Sequence, residues 1–170
     1  ACQLKWNWST VYLTTENTAS CHRTNHHKFD TTEFNFHNTP EKINQRKEML
    51  NGHWPDSSNK ESTTCENYCG AIEKTNQGQS DRQFFSDVPD LTPPELDTNP
   101  QEVTVSPTIL EVYVDNVCNL GCIYCVPELS SRLDFEMKKH GLDYVLLDAT
   151  HLGEAFLKEH FPTNTPKRKL

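Results

Sequence analysis

Thr108-Ile109-Leu110-Glu111-Val112-Tyr113-Val114, followed by Asp115-Asn116-Val117 and then Cys118-Asn119-Leu120-Gly121-Cys122-Ile123-Tyr124-Cys125, is the stretch on which the reading of this chain turns. The first seven residues are β-branched, apolar or aromatic at almost every position and predict a buried strand. The last eight space three thiols as Cys-x3-Cys-x2-Cys at that strand's carboxyl end, where α/β barrels place their chemistry. Three thiolates from one short loop suit three irons of a 4Fe-4S cube and leave the fourth iron open to another molecule. An open metal position is what separates catalytic from closed structural sites. The same residues also read as ordinary buried or reactive thiols, or as a zinc site completed by a ligand such as His140.

Outward from that loop, the chain of 170 residues carries a net charge of -8. That charge argues against a phosphate-tracking surface, so no nucleic-acid partner is expected. Hydrophobic residues make up 34% and gather near residues 4–13 and 108–161, so the middle must be held by something other than apolar burial. No apolar run approaches the roughly 20 residues that span a bilayer, and no basic-then-apolar leader opens the chain. A soluble, cytoplasmic protein without a membrane partner is the expectation. Seven cysteines, an odd number, fit metal or cluster ligation in a reducing compartment better than a paired disulfide framework. The chain begins at Ala1 without methionine and stops after Pro166-Lys167-Arg168-Lys169-Leu170, which reads as a fragment at one or both ends.

The expected fold class is α+β and irregular. Residues 3–13 read as a strand, Thr15-Glu16-Asn17-Thr18 as a turn, and Ala19-Ser20-Cys21 as the return, a hairpin that brings Cys2 and Cys21 near each other. Residues 22–40 read as loop. Thr39 then caps a helix with Pro40 at its first position, running to about Leu50 and ended by Asn51-Gly52. Residues 55–64 form a polar insert, and a second helix begins near Cys69 and continues through Ile72-Glu73-Lys74. Ser86 to Pro107, with five prolines, reads as a linker. Ser130 to His140 predicts a helix, Tyr144 to Leu147 a short strand, and His151 to His160 a last amphipathic helix.

The triplet Cys118, Cys122 and Cys125, with the aromatic Tyr124 before its last member, resembles the cluster motif of radical S-adenosylmethionine (SAM) enzymes. The remaining Cys2, Cys21, Cys65 and Cys69 are the number needed for a fully ligated tetrahedral site. Their segment resembles the auxiliary-cluster modules called twitch and SPASM domains, specifically twitch-type radical SAM proteins whose cysteine-rich module precedes the barrel. The matching stretches are Cys2 to Trp8, Ser20 to Arg23, Phe36 to Pro40, Arg46 to Pro55, Cys65 with Cys69, Gln79 to Gln83, Pro94 to Leu96 and Asp115 to Val117. Two departures stand out: Cys65 and Cys69 are separated by three residues where the family commonly has two, and the insert before Cys65 is long.

The resemblance implies a twitch/SPASM-like module at 1–85, a Pro-rich linker at 86–107, and the start of a partial (β/α)6 radical SAM barrel at 108–170. It implies that Cys118, Cys122 and Cys125 hold a 4Fe-4S cluster whose free iron is chelated by S-adenosylmethionine, with Tyr124 beside the adenine. Cys2, Cys21, Cys65 and Cys69 then hold a second 4Fe-4S cluster or zinc. The implied enzyme generates a 5′-deoxyadenosyl radical for hydrogen abstraction from an unknown peptide or small-molecule substrate, with an electron donor such as flavodoxin or ferredoxin. The family's Gly-Gly-Glu-Pro motif is missing, and Leu152-Gly153-Glu154 is only an echo of it within a helical pattern. About 60 residues follow Thr108, where six βα units need on the order of 200. The chain is therefore expected to lack a complete active site, and no catalytic residue is assigned.

The alternative is a non-catalytic zinc- or cluster-binding interaction module. An electron carrier fits less well, since such proteins ligate every iron. His22, His26, His27, His37 and His53 are secondary ligand candidates that read better as solvated or hydrogen-bonded groups. Arg23 and Arg82 read as ion-pair partners of Glu48, Glu73 or Asp81. Trp6, Trp8 and Trp54 read as packing around the metal site.

Overall fold

The structure, a computed structural model, describes residues 2–55, 64–76, 78–88, 103–118, 120, 122, 125–142 and 150–160. Tyr124, the strand expected at 144–147, the basic tail and most of the polar insert and linker lie outside them. The fold is α+β. Four short strands form one sheet in the order β3-β2-β1-β4, with β1 at Trp8–Tyr12, β2 at Asn17–Ala19, β3 at His27–Lys28 and β4 at Ile109–Tyr113. The β2–β3 pairing is antiparallel, Asn17 opposite Lys28 and Thr18 opposite His27. The chain divides into two compact units, one of Ala1–Val11 and Asn17–Glu111, the other of Tyr12–Glu16 and Val112–Leu170. Among the described residues no helix is long and apolar enough to cross a membrane.

The amino-terminal segment departs from the strand its composition predicts. Leu4–Asn7 is a helical turn, α1, in which Lys5 N donates to Cys2 O and Asn7 N to Gln3 O, both at 3.0 Å. All four of its residues are buried. Side chains that radiate into protein on every side leave no one-faced alternation to read. The turn ends in β1, and a second turn, Leu13–Thr15, is closed by Glu16 in the left-handed region at φ 49.

The helix α2, Pro40–Leu50, has the cap and bounds that its sequence announces: Thr39 Oγ1 accepts from Lys42 N at 3.3 Å, and Gly52 lies at φ 78. The face it buries is not apolar, however. Lys42, Gln45 and Arg46 share one helical stripe and are its buried residues. Lys42 Nζ donates to Ser9 Oγ and Thr18 Oγ1, each at 2.8 Å. Arg46 donates to the carbonyls of Lys5 (2.7 Å), Val103 (2.6 Å) and His37 (2.8 Å) and to Asn38 Oδ1 (2.8 Å). Lys5 Nζ donates to Gln45 Oε1 at 2.5 Å. Hydrogen bonds from the charged Arg46 guanidinium contribute about 1.5–3 kcal/mol each, whereas those from the Lys42 amine, whose pKa burial lowers to about 6, contribute about 1 at neutral pH. This network joins the buried Phe29, Phe34 and Phe36 in supporting the apolar-poor middle.

His37 is held at both ring nitrogens: Nδ1 lies 2.7 Å from Ser9 Oγ, and Nε2 lies 2.9 Å from Trp6 O and 3.0 Å from Arg46 Nη2. Burial, and then the charges of Arg46 and Lys42, hold the imidazole neutral, with its pKa lowered to about 3. The same network docks the end of the Pro-rich segment, since Val105 is buried and its carbonyl accepts from Asn38 Nδ2 at 2.9 Å.

Cys65 leads into a wide turn at Glu66–Gly70, where Gly70 N donates to Cys65 O at 3.0 Å, and this continues as α3, Ala71–Thr75. Helix α4, Asp81–Ser86, begins at a reciprocal capping box between Ser80 and Gln83. In the second unit, β4 is half-buried throughout rather than fully buried, and Tyr12 stacks on Tyr113 with ring centroids 4.6 Å apart. Helix α5 spans Ser131–Lys139 and α6 spans Thr150–His160. Within α6, Gly153 faces Val114, and a Cβ there would stand 2.5 Å from Val114 Cγ1. Close helix packing therefore explains this glycine.

Candidate metal centres

The loop carrying Cys118, Cys122 and Cys125 is tied to the start of α5. Cys125 N donates to Cys122 O at 3.0 Å, making a tight turn between the last two thiols. The first amides of α5, orphans in any helix, are satisfied locally: Ser131 N donates to Asn116 O (2.7 Å), Arg132 N to Cys118 O (3.3 Å) and Leu133 N to Ser130 Oγ (3.4 Å). Ser130 Oγ lies 3.2 Å from Cys118 O and 2.9 Å from Leu120 O, and Ser131 Oγ donates to Cys118 O at 3.1 Å. Asn116 Nδ2 reaches back to Pro127 O at 3.0 Å. All three thiols are free and half-buried. A helix starting near Ser130 was legible in the sequence, but the cap at Ser130 and the grip of Ser130 and Ser131 on the loop carbonyls were not.

In the other unit Cys2 and Cys21 are buried and join a small core with Leu4, against which Trp8, Met49 and Phe85 pack. The thiols of Cys2, Cys21 and Cys65 are near enough that negative charge on one disfavours it on the others. Cys69 and Cys2 share the guanidinium of Arg82 as an electrostatic neighbour. Burial pushes the Cys2 thiol up to about 11 and the Cys21 thiol up to about 12, against the pull of the Lys5 charge. Both are therefore protonated at neutral pH in the metal-free chain, and a bound metal would have to displace those protons. The three-residue spacing between Cys65 and Cys69 sits in the i→i+5 turn described above, a geometry that absorbs one residue more than an α-helical turn.

A third grouping was not anticipated. One ligand atom each from Cys21, His22 and Asp81 lie within 4.8 Å of one another. Among the described residues, no three of the cysteine sulfurs form such a group. A single tetrahedral zinc, at about 2.3 Å from each sulfur, holds its sulfurs roughly 3.8 Å apart. The sequence signal for Asp81 was the capping box at Ser80-x-x-Gln83, which announces the helix it opens.

The remaining candidates have other work. His37 is committed at both ring nitrogens, and His27 Nε2 lies 2.7 Å from Thr39 Oγ1. His26 and His53 are exposed. Arg23 pairs with Asp81 at 3.1 Å and lies over the Tyr68 ring. Arg82 makes a two-pronged pair with Glu73, which holds that carboxyl below its ordinary range, and covers the Trp54 ring. Trp54 also lies 3.3 Å from the Cβ position of Gly70. Trp6 is fully buried.

The chain is thus an α+β, cysteine-rich protein with Cys2, Cys21, Cys65 and Cys69 in one unit and Cys118, Cys122 and Cys125 in the other. No family model matches it, and no solved structure matches it. L-aspartate oxidase 1 of Ralstonia nicotianae (strain ATCC BAA-1114 / GMI1000) is 64% identical to it over 35 residues, which is 21% of this chain and 7% of that protein. So short a shared stretch places the chain in no family and brings no activity to it.

Proposed function

We propose that this chain is the cluster-binding amino-terminal part of a radical SAM enzyme. The observation that carries the reading is the Cys-x3-Cys-x2-Cys spacing that follows β4, with the first thiol's carbonyl gathered by Ser130, Ser131 and Arg132. Cys118, Cys122 and Cys125 would hold a 4Fe-4S cluster with one open iron, and Tyr124 would contribute to the S-adenosylmethionine site. When bound, that pair supplies an electron to the sulfonium and so a radical able to abstract hydrogen. The chain's own contribution is to present three thiolates from a segment whose Cys118 and Leu120 carbonyls are tied to the start of α5. Cys2, Cys21, Cys65 and Cys69 would hold the second metal group, balanced by the nearby charges of Lys5 and Arg82.

The test is anaerobic reconstitution with iron and sulfide, followed by electron paramagnetic resonance of the reduced protein with and without S-adenosylmethionine. A signal that shifts on adding the sulfonium, and that is lost in Cys122→Ala while the second group is retained, is the expected result. Tightly bound zinc without any such response would instead establish the non-catalytic metal-binding module.

A further inference from the structure

We propose that Cys21, His22 and Asp81 form a binding site for one divalent transition-metal ion of the zinc class, with its fourth position open. Cys21 ends the strand return and starts a tight turn in which Thr24 N and Thr24 Oγ1 both donate to Cys21 O, at 3.2 and 3.1 Å. That turn displays His22 and Arg23 as its two central residues. Asp81 arrives from the first position of α4, whose start is fixed by the capping box. Trp8 joins the two elements: its ring lies 6.1 Å from the His22 ring and 5.9 Å from that of Phe85, one helical turn along from Asp81. Trp8 is itself fixed by the bond from its Nε1 to Thr10 Oγ1 at 2.9 Å.

The donor set is one sulfur, one imidazole nitrogen and one carboxylate oxygen. That mixture suits zinc and its neighbours, whereas magnesium and calcium take oxygen alone. Three protein ligands with an open fourth position is the pattern of reactive rather than structural zinc. The outer groups are in place as well. Arg23 Nε holds Asp81 Oδ2 at 3.1 Å, the kind of hydrogen bond that orients a ligating carboxylate, and Arg23 N donates to Cys21 Sγ at 3.4 Å, which favours thiolate. The contact of His22 Nε2 with Asp81 Oδ2 at 3.4 Å accounts for those two residues as an ordinary ion pair, but not for a buried thiol directed at both. The site does not depend on the radical SAM reading. It competes with the four-cysteine arrangement for Cys21 alone.

Cobalt(II) titration of the full-length, reduced, metal-free chain tests the assignment, since cobalt replaces zinc and reports its ligands by colour. The expected spectrum contains the component of a tetrahedral ion with one thiolate, which is lost in both His22→Ala and Asp81→Asn and is separate from any multi-thiolate component of the Cys118, Cys122 and Cys125 loop that Cys122→Ala removes. Binding should weaken by more than about tenfold in both His22→Ala and Asp81→Asn, and stay unchanged in Cys65→Ser and Cys69→Ser. His22 and Asp81 are partly exposed, so folding of their variants is readily checked by circular dichroism. A multi-thiolate spectrum that disappears in Cys65→Ser but survives His22→Ala would overturn the proposal in favour of the four-cysteine site. Absence of cobalt binding would overturn it in favour of plain ion pairing.

Discussion

Replacing Lys42 by methionine is expected to stabilise the metal-free protein at neutral pH and to remove most of its pH dependence between pH 6 and 9. Lys42 is fully buried, and burial, then the charges of Arg46 and Lys5, lower its amine from 10.5 to about 6. Because the folded value lies below the unfolded one, the unfolded chain holds a proton that the folded chain has shed across that interval. Stability therefore rises with pH from about 6 toward 10.5, by about 1.4 kcal/mol per pH unit. The thiols of Cys2 and Cys21 act in the opposite sense. Raised from 9.0 to about 11 and about 12, they stabilise the fold below pH 9 and lose that contribution above it. His37, lowered from 6.5 to about 3, reinforces Lys42 only below 6.5. Arg46, lowered from 12.5 to about 10, acts only above pH 10. The interval from 6.5 to 9 belongs to Lys42, and the stability maximum should fall near pH 9.

At pH 7 the cost of holding this amine neutral in the fold is about 5 kcal/mol at most. Methionine removes that cost with little change in volume, and loses two hydrogen bonds to hydroxyls worth roughly 1 kcal/mol each. Ser9 keeps His37 Nδ1 and Thr18 keeps the carbonyl of Thr10 as hydrogen-bond partners, so neither hydroxyl is left buried without a partner. The net gain is about 2–3 kcal/mol at pH 7, shrinking as pH rises. Urea unfolding with reductant and chelator at pH 6.5, 7, 8 and 9 measures it. A wild-type stability that is flat over that range, or a Lys42→Met protein less stable than wild type at pH 7, would refute the reasoning.

Three further outcomes follow from named contacts. Ser130→Ala removes the cap of α5 and the hydroxyl between Cys118 O and Leu120 O. It should cost about 1 kcal/mol in urea unfolding and speed the loss of a reconstituted cluster to chelator. Arg46→Lys keeps the charge but not the planar fork that reaches four separate oxygens; a loss of about 3 kcal/mol is expected in the same assay. Gly153→Ala sets a methyl against Val114 Cγ1. The overpacking, about 1–3 kcal/mol, outweighs the roughly 1 kcal/mol gained in helix propensity, so the melting temperature should fall, and Val114→Ala in the same chain should restore it.

Local signals carried much of the fold. The Thr39 cap, Pro40 and Gly52 marked α2 at both ends, Ser130 marked the start of α5, and the β-branched run at 109–113 marked β4. The middle expected to depend on something other than apolar burial contains both: buried Phe29, Phe34 and Phe36, and a buried network of Lys5, Lys42, Arg46 and His37. No sequence rule would have buried those cations, because charged residues on a helix read as its solvated face. The turn at Leu4–Asn7 was read as strand for a related reason: residues buried on all sides carry no period.

The sequence by itself determined where the thiols fall along the chain, which segments start and stop as helices, and a net charge of -8. Those properties depend on neighbours a few residues apart and on composition. Only the tertiary structure decided that Lys42 and Arg46 lie inside, that Cys21 meets His22 and Asp81, and that Gly153 is small because Val114 stands against it. Each of these joins segments distant in sequence, or sets the environment of a charge by what surrounds it in space, and neither is encoded in local spacing.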